Sequence, residues 1–412
     1  MKTTRREHIS QGIGAGLTGA LMLTGSSSAY AATEIEKQLR AGKTLKGIQK
    51  QDLPTPSLMV DLDRLEANIS KMAKHVRESS INLRAHGKTH KCSEIARRQI
   101  KAGAIGLCTA TIREAEAMAE AGIGGLLITA ELVGKTKIDR LVLLTKKHPD
   151  IMSVVDNPLH ADQLSAAAEA AKVPLNVLVD IDPAGRRTGI QSGEPALNLA
   201  KKIDALPGLR LRGVHCYSGG SAHVLGFSER KAHSERAMAA PLETVAAMKR
   251  AGLPIEIVSG GSTGTYNIDP GIGGMTEMQC GSYIFMDVEY RLAGGQSGAV
   301  YEDFQPSLTV LATVISKSHV DRATIDAGIK AFASDRKFGP DVVGVSGVEF
   351  LFGGDEHGIL NLKNPSRDIS LGDRLELLVP HCDPNVNLYD RMYCTRGEEV
   401  VEAWTIDARG YV

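Results

Sequence analysis

Short apolar runs alternate with helical patterns along the chain from residue 55 to about residue 290. Between the runs, apolar residues recur every three to four positions, for example in 161–171 and 236–251, which is typical of amphipathic helices. Each apolar run is expected to form a strand. The eight predicted strands lie at 56–62, 82–85, 106–109, 126–130, 152–155, 175–181, 211–217 and 255–259.

This alternation determines the predicted architecture of the first domain. Strands that alternate with helices pair in parallel through right-handed crossovers. Eight such units over about 240 residues fit a closed (β/α)8 barrel. An open doubly wound sheet is the alternative, but no GxGxxG motif follows the first predicted strand, which disfavours it.

The pattern changes after residue 290. A Gly-rich stretch at 292–298 is followed by strand-like segments at 307–316 and 375–379 with few helices between them. We therefore predict an α/β protein with a (β/α)8 barrel in residues 32–290 and a mostly β domain in residues 291–412.

The first 31 residues are predicted to be an export signal rather than part of the fold. Arg5 and Arg6 precede a Gly-rich apolar run at 12–24, which suggests a twin-arginine signal, and 29–31 form a small-residue cleavage site. The apolar run is too short to span a membrane. An ordinary secretory signal is the alternative. In either case the mature chain is expected to begin at Ala32 and to be periplasmic or otherwise exported.

Charge and cysteine content exclude several classes of protein. The 412 residues include 48 basic and 48 acidic side chains with no basic stripe, so nucleic acid is not an expected partner. The cysteines are widely scattered in a chain that is large enough to fold without disulfides. We therefore expect them to be mostly buried thiols. They are Cys92, Cys108, Cys216, Cys280, Cys382 and Cys394.

Lys88 is the first candidate for chemistry. It lies in the segment His-Gly-Lys-Thr-His-Lys at 86–91, directly after the predicted strand 82–85, and active sites of barrels lie at the carboxyl ends of strands. A desolvated lysine can become an amine nucleophile. The neighbouring histidines and lysine are expected to lower its pKa further. A basic loop that faces solvent is an equally good interpretation of the local sequence.

Two Gly/Ser turns near the end of the predicted barrel favour a phosphate. One is Ser-Gly-Gly-Ser-Thr-Gly-Thr at 259–265, and the other is Gly281 with Ser282. Such turns present backbone N–H groups and hydroxyls to an anion. One of them alone is as well explained by a flexible loop, but barrels commonly bind phosphate at this end.

Five further side chains follow predicted strands. Arg187, Tyr217 and His223 can point into the barrel mouth, although a surface charge, a core residue and a solvated loop residue are the alternatives. If His381 and Asp383 lie in extended backbone, they share one face. An imidazole and a carboxylate then make half of a metal site suited to Mn²⁺ or Mg²⁺. A polar turn after a strand is the alternative.

These motifs together resemble the family of D-threonine aldolases and D-serine dehydratases, fold-type III pyridoxal phosphate (PLP) enzymes related to alanine racemase. The resemblance covers nearly the whole chain after residue 31. It implies a PLP barrel with a β domain, a D-amino acid substrate and a homodimer. The matching segments are 55–63, 86–91, 186–189, 260–265 and 381–390.

The resemblance assigns roles to individual residues. Lys88 matches the lysine that forms the Schiff base with PLP, and His223 matches a histidine that acts with the metal on the substrate hydroxyl. His381 and Asp383 match the metal pair. Gln279 falls where alanine racemases place the partner of the pyridine nitrogen. The other positions that match cofactor contacts are Arg187, Tyr217, Ser262, Thr263, Gly264, Gly281 and Ser282.

The chain also departs from the family pattern near the predicted substrate pocket. Ser218 and Gly220 stand where histidines are expected after the tyrosine, and Ala184 stands where a glycine is usual. These departures concern the substrate pocket rather than the cofactor.

The two residues of the metal pair differ between the dehydratases and the aldolases of the family. Dehydratases pair histidine with cysteine around zinc, whereas aldolases pair histidine with aspartate around manganese. Asp383 therefore implies a PLP- and Mn²⁺-dependent aldolase that cleaves D-threonine-like β-hydroxy D-amino acids to glycine and an aldehyde, with Mg²⁺ or Zn²⁺ as alternative metals. The alternatives are a dehydratase of D-serine or D-3-hydroxyaspartate that releases a 2-oxo acid and ammonia, and a periplasmic racemase. A PLP-binding protein without catalysis is disfavoured by the second domain.

Overall fold

The computed structural model describes residue 38 and residues 47–410. The predicted export signal in residues 1–31 and its cleavage site lie outside the described residues. The described chain forms two nine-stranded sheets, one closed and parallel and the other largely antiparallel. Export and a homodimer stay predictions from the sequence.

The closed sheet is a barrel of eight parallel strands, as predicted. It closes because the first strand pairs with the last, with Leu83 beside Met278. A short strand, Ile190–Gln191, extends the sheet beside the fifth barrel strand. In chain order the barrel strands are Asn82–His86, Gly106–Thr109, Leu126–Ile128, Met152–Val155, Leu175–Asp182, Leu209–Cys216, Ile257–Gly260 and Glu277–Met278.

Amphipathic helices alternate with the barrel strands. In Leu62–Glu78, the buried side chains Leu65, Ile69, Met72 and Val76 recur at helical spacing, and the Asp61 carboxylate caps the helix by accepting from the Arg64 N–H at 3.0 Å. The longer helices are Leu62–Glu78, Ser93–Lys101, Ile112–Glu120, Lys135–Lys147, Pro158–Ala171, Glu194–Ala205 and Phe227–Arg250.

Shorter helical segments occupy the connections. Several of them follow barrel strands and shape the barrel mouth. The four-to-five-residue helices are Gly219–Ala222, Asp269–Ile272, Val288–Leu292 and Cys382–Val386, and the 3-10 turns are Lys50–Asp52, Gly87–Thr89, Thr263–Thr265 and Ser282–Ile284.

The second sheet corrects one sequence-based prediction. Residues 56–62 were predicted to form a barrel strand, but Ser57–Asp61 pairs antiparallel with Leu308–His319 and parallel with Arg391–Arg396. The eighth barrel strand is instead Glu277–Met278, which is too short to leave an apolar pattern. Since Ser57–Asp61 is buried on both faces, its sequence suits a central strand of either sheet.

The second domain therefore draws strands from both ends of the described chain. The domain is mostly β, as predicted, and its strand Leu308–His319 pairs with three other strands. Its strands are Ser57–Asp61, Leu308–His319, Arg322–Ile325, Asp341–Val342, Val348–Phe352, Gly358–Leu362, Arg374–Leu378, Arg391–Arg396 and Glu399–Thr405.

Backbone hydrogen bonds fix the second domain against the barrel mouth. The Val288 N–H donates to the Val379 carbonyl at 3.1 Å, and the Glu289 N–H donates to the Pro380 carbonyl at 3.2 Å. These contacts place the segment that follows Pro380 beside the carboxyl ends of the barrel strands.

Two further observations concern the described residues. All six cysteines are buried and free, which confirms the expectation of thiols rather than disulfides. Within residues 47–410, none of the helices combines the length and the apolar character that crossing a membrane requires.

Candidate active site

A cavity of about 250 Å³ lies at the carboxyl ends of the barrel strands. Its walls come from the segments that follow the strands and are rich in hydroxyl, imidazole and charged groups. Most of the cofactor positions predicted from the sequence line it. The lining residues are His86, Lys88, Thr89, Ala110, Thr129, Ala130, Glu131, Arg187, Thr188, His215, Tyr217, Ser262, Thr263, Gln279, Gly281, Ser282 and Tyr290.

Lys88 is held at the cavity wall by the turn Gly87–Thr89. Its ammonium group contacts the carboxylate of Asp383 from the second domain. Burial by itself would lower the pKa of Lys88, but the negative charge of Asp383 outweighs burial and raises it. The predicted lowering is therefore wrong for this arrangement, because the sequence does not show that a carboxylate lies next to the amine.

The other basic residues of segment 86–91 add little positive charge to the mouth. Burial lowers the pKa of His90 to about 4, and its Nδ1 accepts from the Cys92 N–H at 3.0 Å. Lys91 is buried, 3.5 Å from a carboxylate oxygen of Glu114. His86 lines the cavity, but burial and then the charge of Lys88 hold its pKa well below its usual range, so the imidazole is neutral.

The loops after the seventh and eighth strands form a rigid polar cradle. The Ser262 N–H donates to Thr265 Oγ1 at 3.1 Å, and the Thr265 hydroxyl donates to the buried Asp269 carboxylate at 2.6 Å. At Gly281, a β-carbon would lie 2.6 Å from Thr89 Oγ1, so only glycine fits there. That glycine is required by the contact with Thr89. On the cavity side, the hydroxyls of Ser262, Thr263 and Ser282 are the donors that fit a phosphate group.

Gly264 is the predicted cofactor position that does not line the cavity. Its carbonyl accepts from the buried Arg230 Nε at 2.8 Å, and a β-carbon on it would lie 1.9 Å from the Ala222 carbonyl oxygen. The glycine is therefore needed for packing behind the loop.

Arg187, Tyr217 and Gln279 also line the cavity. The Arg187 guanidinium carbon lies 5.2 Å from the centre of the Tyr217 ring, and the Gln279 amide donates to Ser259 Oγ at 2.8 Å. Arg187 gives the cavity a permanent positive charge, which favours a carboxylate or phosphate.

The predicted metal pair lies beside the mouth, although not in the predicted backbone. His381 is extended, but Asp383 lies in the first turn of Cys382–Val386. His381 Nδ1 is 2.8 Å from Asp335 Oδ2. Burial would raise the pKa of Asp383, but the adjacent Lys88 ammonium and the nearby His381 lower it, so Asp383 is a carboxylate.

These two donors are of the nitrogen and oxygen types that Mn²⁺ and Mg²⁺ accept. Within residues 47–410, no group of three or more His, Cys, Asp or Glu side chains is arranged to hold a metal ion. A metal held by His381 and Asp383 would therefore complete its shell with water or substrate.

His223 lies outside the cavity lining but at the same mouth. Its Nδ1 is 3.8 Å from Glu289 Oε1, and its ring centre is 4.7 Å from that of Tyr290. Burial lowers the pKa of His223 despite Glu289, and the nearby His381, Arg336 and Lys88 act in the same direction as burial. The imidazole is thus neutral near pH 7 and can accept a proton.

Residues 60–289 match the family model of the alanine racemase N-terminal domain, and residues 307–395 match that of a putative serine dehydratase domain. Over 369 residues, the chain is 35% identical to 3-hydroxy-D-aspartate aldolase of Paracoccus denitrificans (strain Pd 1222), covering 89% of this chain and 95% of that protein. The chain belongs to the family of D-threonine aldolases and D-serine dehydratases.

Two other members support the same assignment. The crystal structure of D-threonine aldolase from Filomicrobium marinum matches with a TM-score of 0.84 and 36% identity, covering 89% of this chain and 98% of that one. D-threo-3-hydroxyaspartate dehydratase of Delftia sp. (strain HT23) is 30% identical, over 85% of this chain and 97% of that protein. The resemblance predicted from the motifs is confirmed, and with it a PLP enzyme of the lyase class.

Several residues of this family member were not singled out from the sequence. Glu131 and His215 line the cavity, Asp180 stands behind them, and Asp335 contacts His381. Asp180 carries a usable signal, because it is the one charged residue in the mostly apolar run 175–181. The sequence gives no such signal for Asp335, because this residue lies in a loop that is remote in sequence from His381.

Asp287 helps to join the segment that carries His381 and Asp383 to the barrel. It is fully buried, and its two carboxylate oxygens accept from the Tyr290 N–H and the Cys382 N–H, both at 2.9 Å. Burial raises the pKa of Asp287 to about 6, so the group is mainly a carboxylate at pH 7.

We expect Asp287→Ala to lower the free energy of unfolding by about 3 kcal/mol, because it leaves two buried N–H donors without acceptors. Urea denaturation followed by circular dichroism measures this. The exposed Asp390, paired with Arg409, gives the control: Asp390→Ala should cost less than about 1 kcal/mol. Equal losses in the two variants would contradict the role of Asp287.

Proposed function

We propose that the protein is a divalent-metal-dependent aldolase that cleaves D-threonine-like β-hydroxy D-amino acids to glycine and an aldehyde. The observation that carries this proposal is the ionised carboxylate of Asp383, which lies two residues from His381 and in contact with Lys88. An oxygen donor at this place suits Mn²⁺ better than Zn²⁺. The aldolase names of two relatives support the same reaction.

The cofactor and the metal would supply chemistry that side chains lack. PLP, held by Lys88, the cradle around Ser262 and Gly281, and the cavity walls, supplies an electron sink for the charge that develops at the substrate Cα. A metal held by His381 and Asp383 supplies Lewis acidity toward the β-hydroxyl.

The side chains of this chain then have separate tasks. Lys88 would hold the cofactor through its side-chain amine. The neutral imidazole of His223 accepts the proton of the β-hydroxyl, so that the bond between Cα and Cβ can break and the aldehyde can leave. Cα then takes up a proton, which completes glycine. Arg187, at the cavity wall, holds an anionic group of the substrate or cofactor.

A dehydratase is the second candidate, because Lys88 at the cavity wall is an amine that can take a proton from Cα as well. The Delftia relative carries a dehydratase name. Elimination would give a 2-oxo acid and ammonia instead of glycine and an aldehyde.

The products decide between the two reactions. We expect the chain, supplied with PLP and Mn²⁺, to convert D-threonine to glycine and acetaldehyde, and a chelator to stop the reaction. D-3-hydroxyaspartate is tested in parallel. It carries a carboxylate at the β-carbon where D-threonine carries a methyl group, so the two rates show which substituent the site prefers. A 2-oxo acid with ammonia would contradict the aldolase and favour the dehydratase.

Asp383→Asn tests the metal site within the same assay. The amide has the shape of the carboxylate but no charge, so we expect about 100-fold weaker Mn²⁺ binding and a comparable loss of rate. Asp390→Asn, at an exposed position, is the control and should change neither. Full activity of Asp383→Asn after exhaustive chelation would exclude a metal held there.

A further inference from the structure

Three charged side chains form an ion-pair network at the mouth, and they are Asp335, Arg336 and Glu289. Asp335 Oδ2 lies 2.8 Å from His381 Nδ1 and accepts from Arg336 Nη1 at 2.7 Å. Arg336 then donates to both oxygens of Glu289, from Nε to Oε1 at 2.7 Å and from Nη2 to Oε2 at 2.9 Å. The network therefore begins at the predicted metal ligand His381 and ends on the barrel side of the mouth.

The contact with Asp335 determines which nitrogen of the His381 ring carries the hydrogen. A carboxylate oxygen can only accept, so a hydrogen bond at 2.8 Å requires the hydrogen on His381 Nδ1. In the neutral imidazole the lone pair then lies on Nε2, and a metal ion binds a histidine through a nitrogen lone pair. Asp335 thus leaves Nε2 as the nitrogen that a cation can bind, and it restricts rotation of the ring.

Asp335 is in turn held by Arg336. The Asp335 side chain is 37% exposed, so burial alone does not fix it. Arg336 is anchored by its two parallel hydrogen bonds to Glu289, and bidentate pairs of this kind fix direction as well as distance. The Glu289 N–H also donates to the Pro380 carbonyl at 3.2 Å, directly before His381. Glu289 therefore holds the segment of His381 through both its backbone and its side chain.

The other end of the network is looser. Glu289 Oε1 is 3.8 Å from His223 Nδ1, which is too long for a hydrogen bond. Glu289 is thus oriented by Arg336 rather than by His223. The hydrogen bonds of the network are directed at His381.

We propose that Asp335 is a positioning residue for the metal, because it accepts from His381 Nδ1, leaves Nε2 for a divalent cation and is itself held in place by Arg336. The inference rests on the metal dependence in the proposed function. It applies to cleavage and to elimination alike.

The expected effect is a loss of metal affinity without a change in the two metal ligands. We expect Asp335→Ala to raise the dissociation constant of Mn²⁺ about 10- to 100-fold, the usual effect of removing the partner of a metal-binding histidine. Asp335→Asn keeps an oxygen that can accept from Nδ1, so its effect should be smaller than that of Asp335→Ala. Asp355→Asn removes the same charge at a position of the second domain that is 72% exposed, and it should leave the affinity unchanged.

The measurement is a titration of the PLP-loaded chain with Mn²⁺ after treatment with a chelator. Electron paramagnetic resonance detects free Mn²⁺ and gives the dissociation constant without any substrate. The visible absorption of bound PLP shows that each variant keeps an intact barrel.

Arg336→Gln separates positioning from charge. Removing a positive charge near a cation site should by itself strengthen Mn²⁺ binding. We expect weaker binding instead, because Asp335 loses its anchor. In the Asp335→Ala background, Arg336→Gln should cause no further weakening, since Arg336 acts through Asp335. Tighter binding in Arg336→Gln, or an equal weakening in both backgrounds, would contradict the role of Arg336.

The outcomes also distinguish this inference from the proposed function. Mn²⁺ binding that is weakened in Asp383→Asn but unchanged in Asp335→Ala would overturn the inference and leave the proposed function intact. Weaker Mn²⁺ binding in Asp335→Ala, together with a 2-oxo acid as the product, would support the inference and contradict only the proposed function. A wild-type chain that binds no Mn²⁺ would overturn both.

Discussion

Replacing Lys88 with alanine is expected to abolish the visible absorption of lysine-bound PLP and to lower the rate of substrate cleavage about 10³-fold or more. Lys88 is the only lysine that lines the cavity in residues 47–410. Its turn is fixed by the first barrel strand, so a neighbouring lysine cannot take its place. The ultraviolet-visible spectrum of the purified holoenzyme and the initial rate with D-threonine measure the two effects.

Two further variants separate covalent chemistry from charge. Lys88→Arg keeps a positive charge near Asp383, but a guanidinium does not bond covalently to the cofactor. It should therefore lose the absorption band as Lys88→Ala does. Lys91→Arg changes the other lysine of the same segment, which pairs with Glu114, and should keep the band. A band that persists in Lys88→Ala would refute the assignment of Lys88.

The barrel and the positions of most cavity residues could be predicted because both depend on local sequence. Apolar runs and helical spacing identify seven of the eight barrel strands. Side chains that follow those strands, such as Lys88, Arg187 and Tyr217, reach the mouth because parallel strands all end on the same side of the barrel.

Strand order and domain membership could not be predicted in the same way. The sequence of Ser57–Asp61 predicts a buried strand, but the strands that pair with it in the second sheet are more than 240 residues away in sequence. Glu277–Met278 is a barrel strand only because the backbone of its neighbours on both sides pairs with it. In both cases, backbone hydrogen bonding with the neighbouring strands determines which sheet the segment joins, and amino-acid composition does not.

The charge states of the ionisable side chains in the site could not be predicted from the sequence either. Burial and the charge of Asp383 together set the pKa of Lys88, and burial and then Asp180 raise that of Glu131. Each pair joins elements that are distant along the chain, and a carboxylate can raise or lower a neighbouring pKa according to the group it meets. The sequence supplies the ionisable groups, but only the fold determines which of them are in contact.

The largest effect on stability is expected at the ion pair that closes the barrel. Arg84 in the first strand and Glu277 in the eighth are joined by two hydrogen bonds, Nε to Oε1 at 2.7 Å and Nη2 to Oε2 at 2.9 Å, and both side chains are buried. Arg84 also donates to the Gly125 carbonyl before the third strand. Burial alone would lower the pKa of Arg84, but Glu277 raises it, so the guanidinium stays charged.

We expect Glu277→Ala to lower the free energy of unfolding by about 3 to 5 kcal/mol, because it leaves a buried guanidinium without a counter-charge. Urea denaturation measures this. The pair Arg212–Glu256 is the control, since it has a similar contact at 2.8 Å on the exposed surface, and Glu256→Ala should cost about 1 kcal/mol or less. The double variant Arg84→Met with Glu277→Leu removes both charges and should lose less stability than Glu277→Ala alone. If Glu277→Ala cost no more than Glu256→Ala, the barrel would be closed by its backbone and packing rather than by this pair.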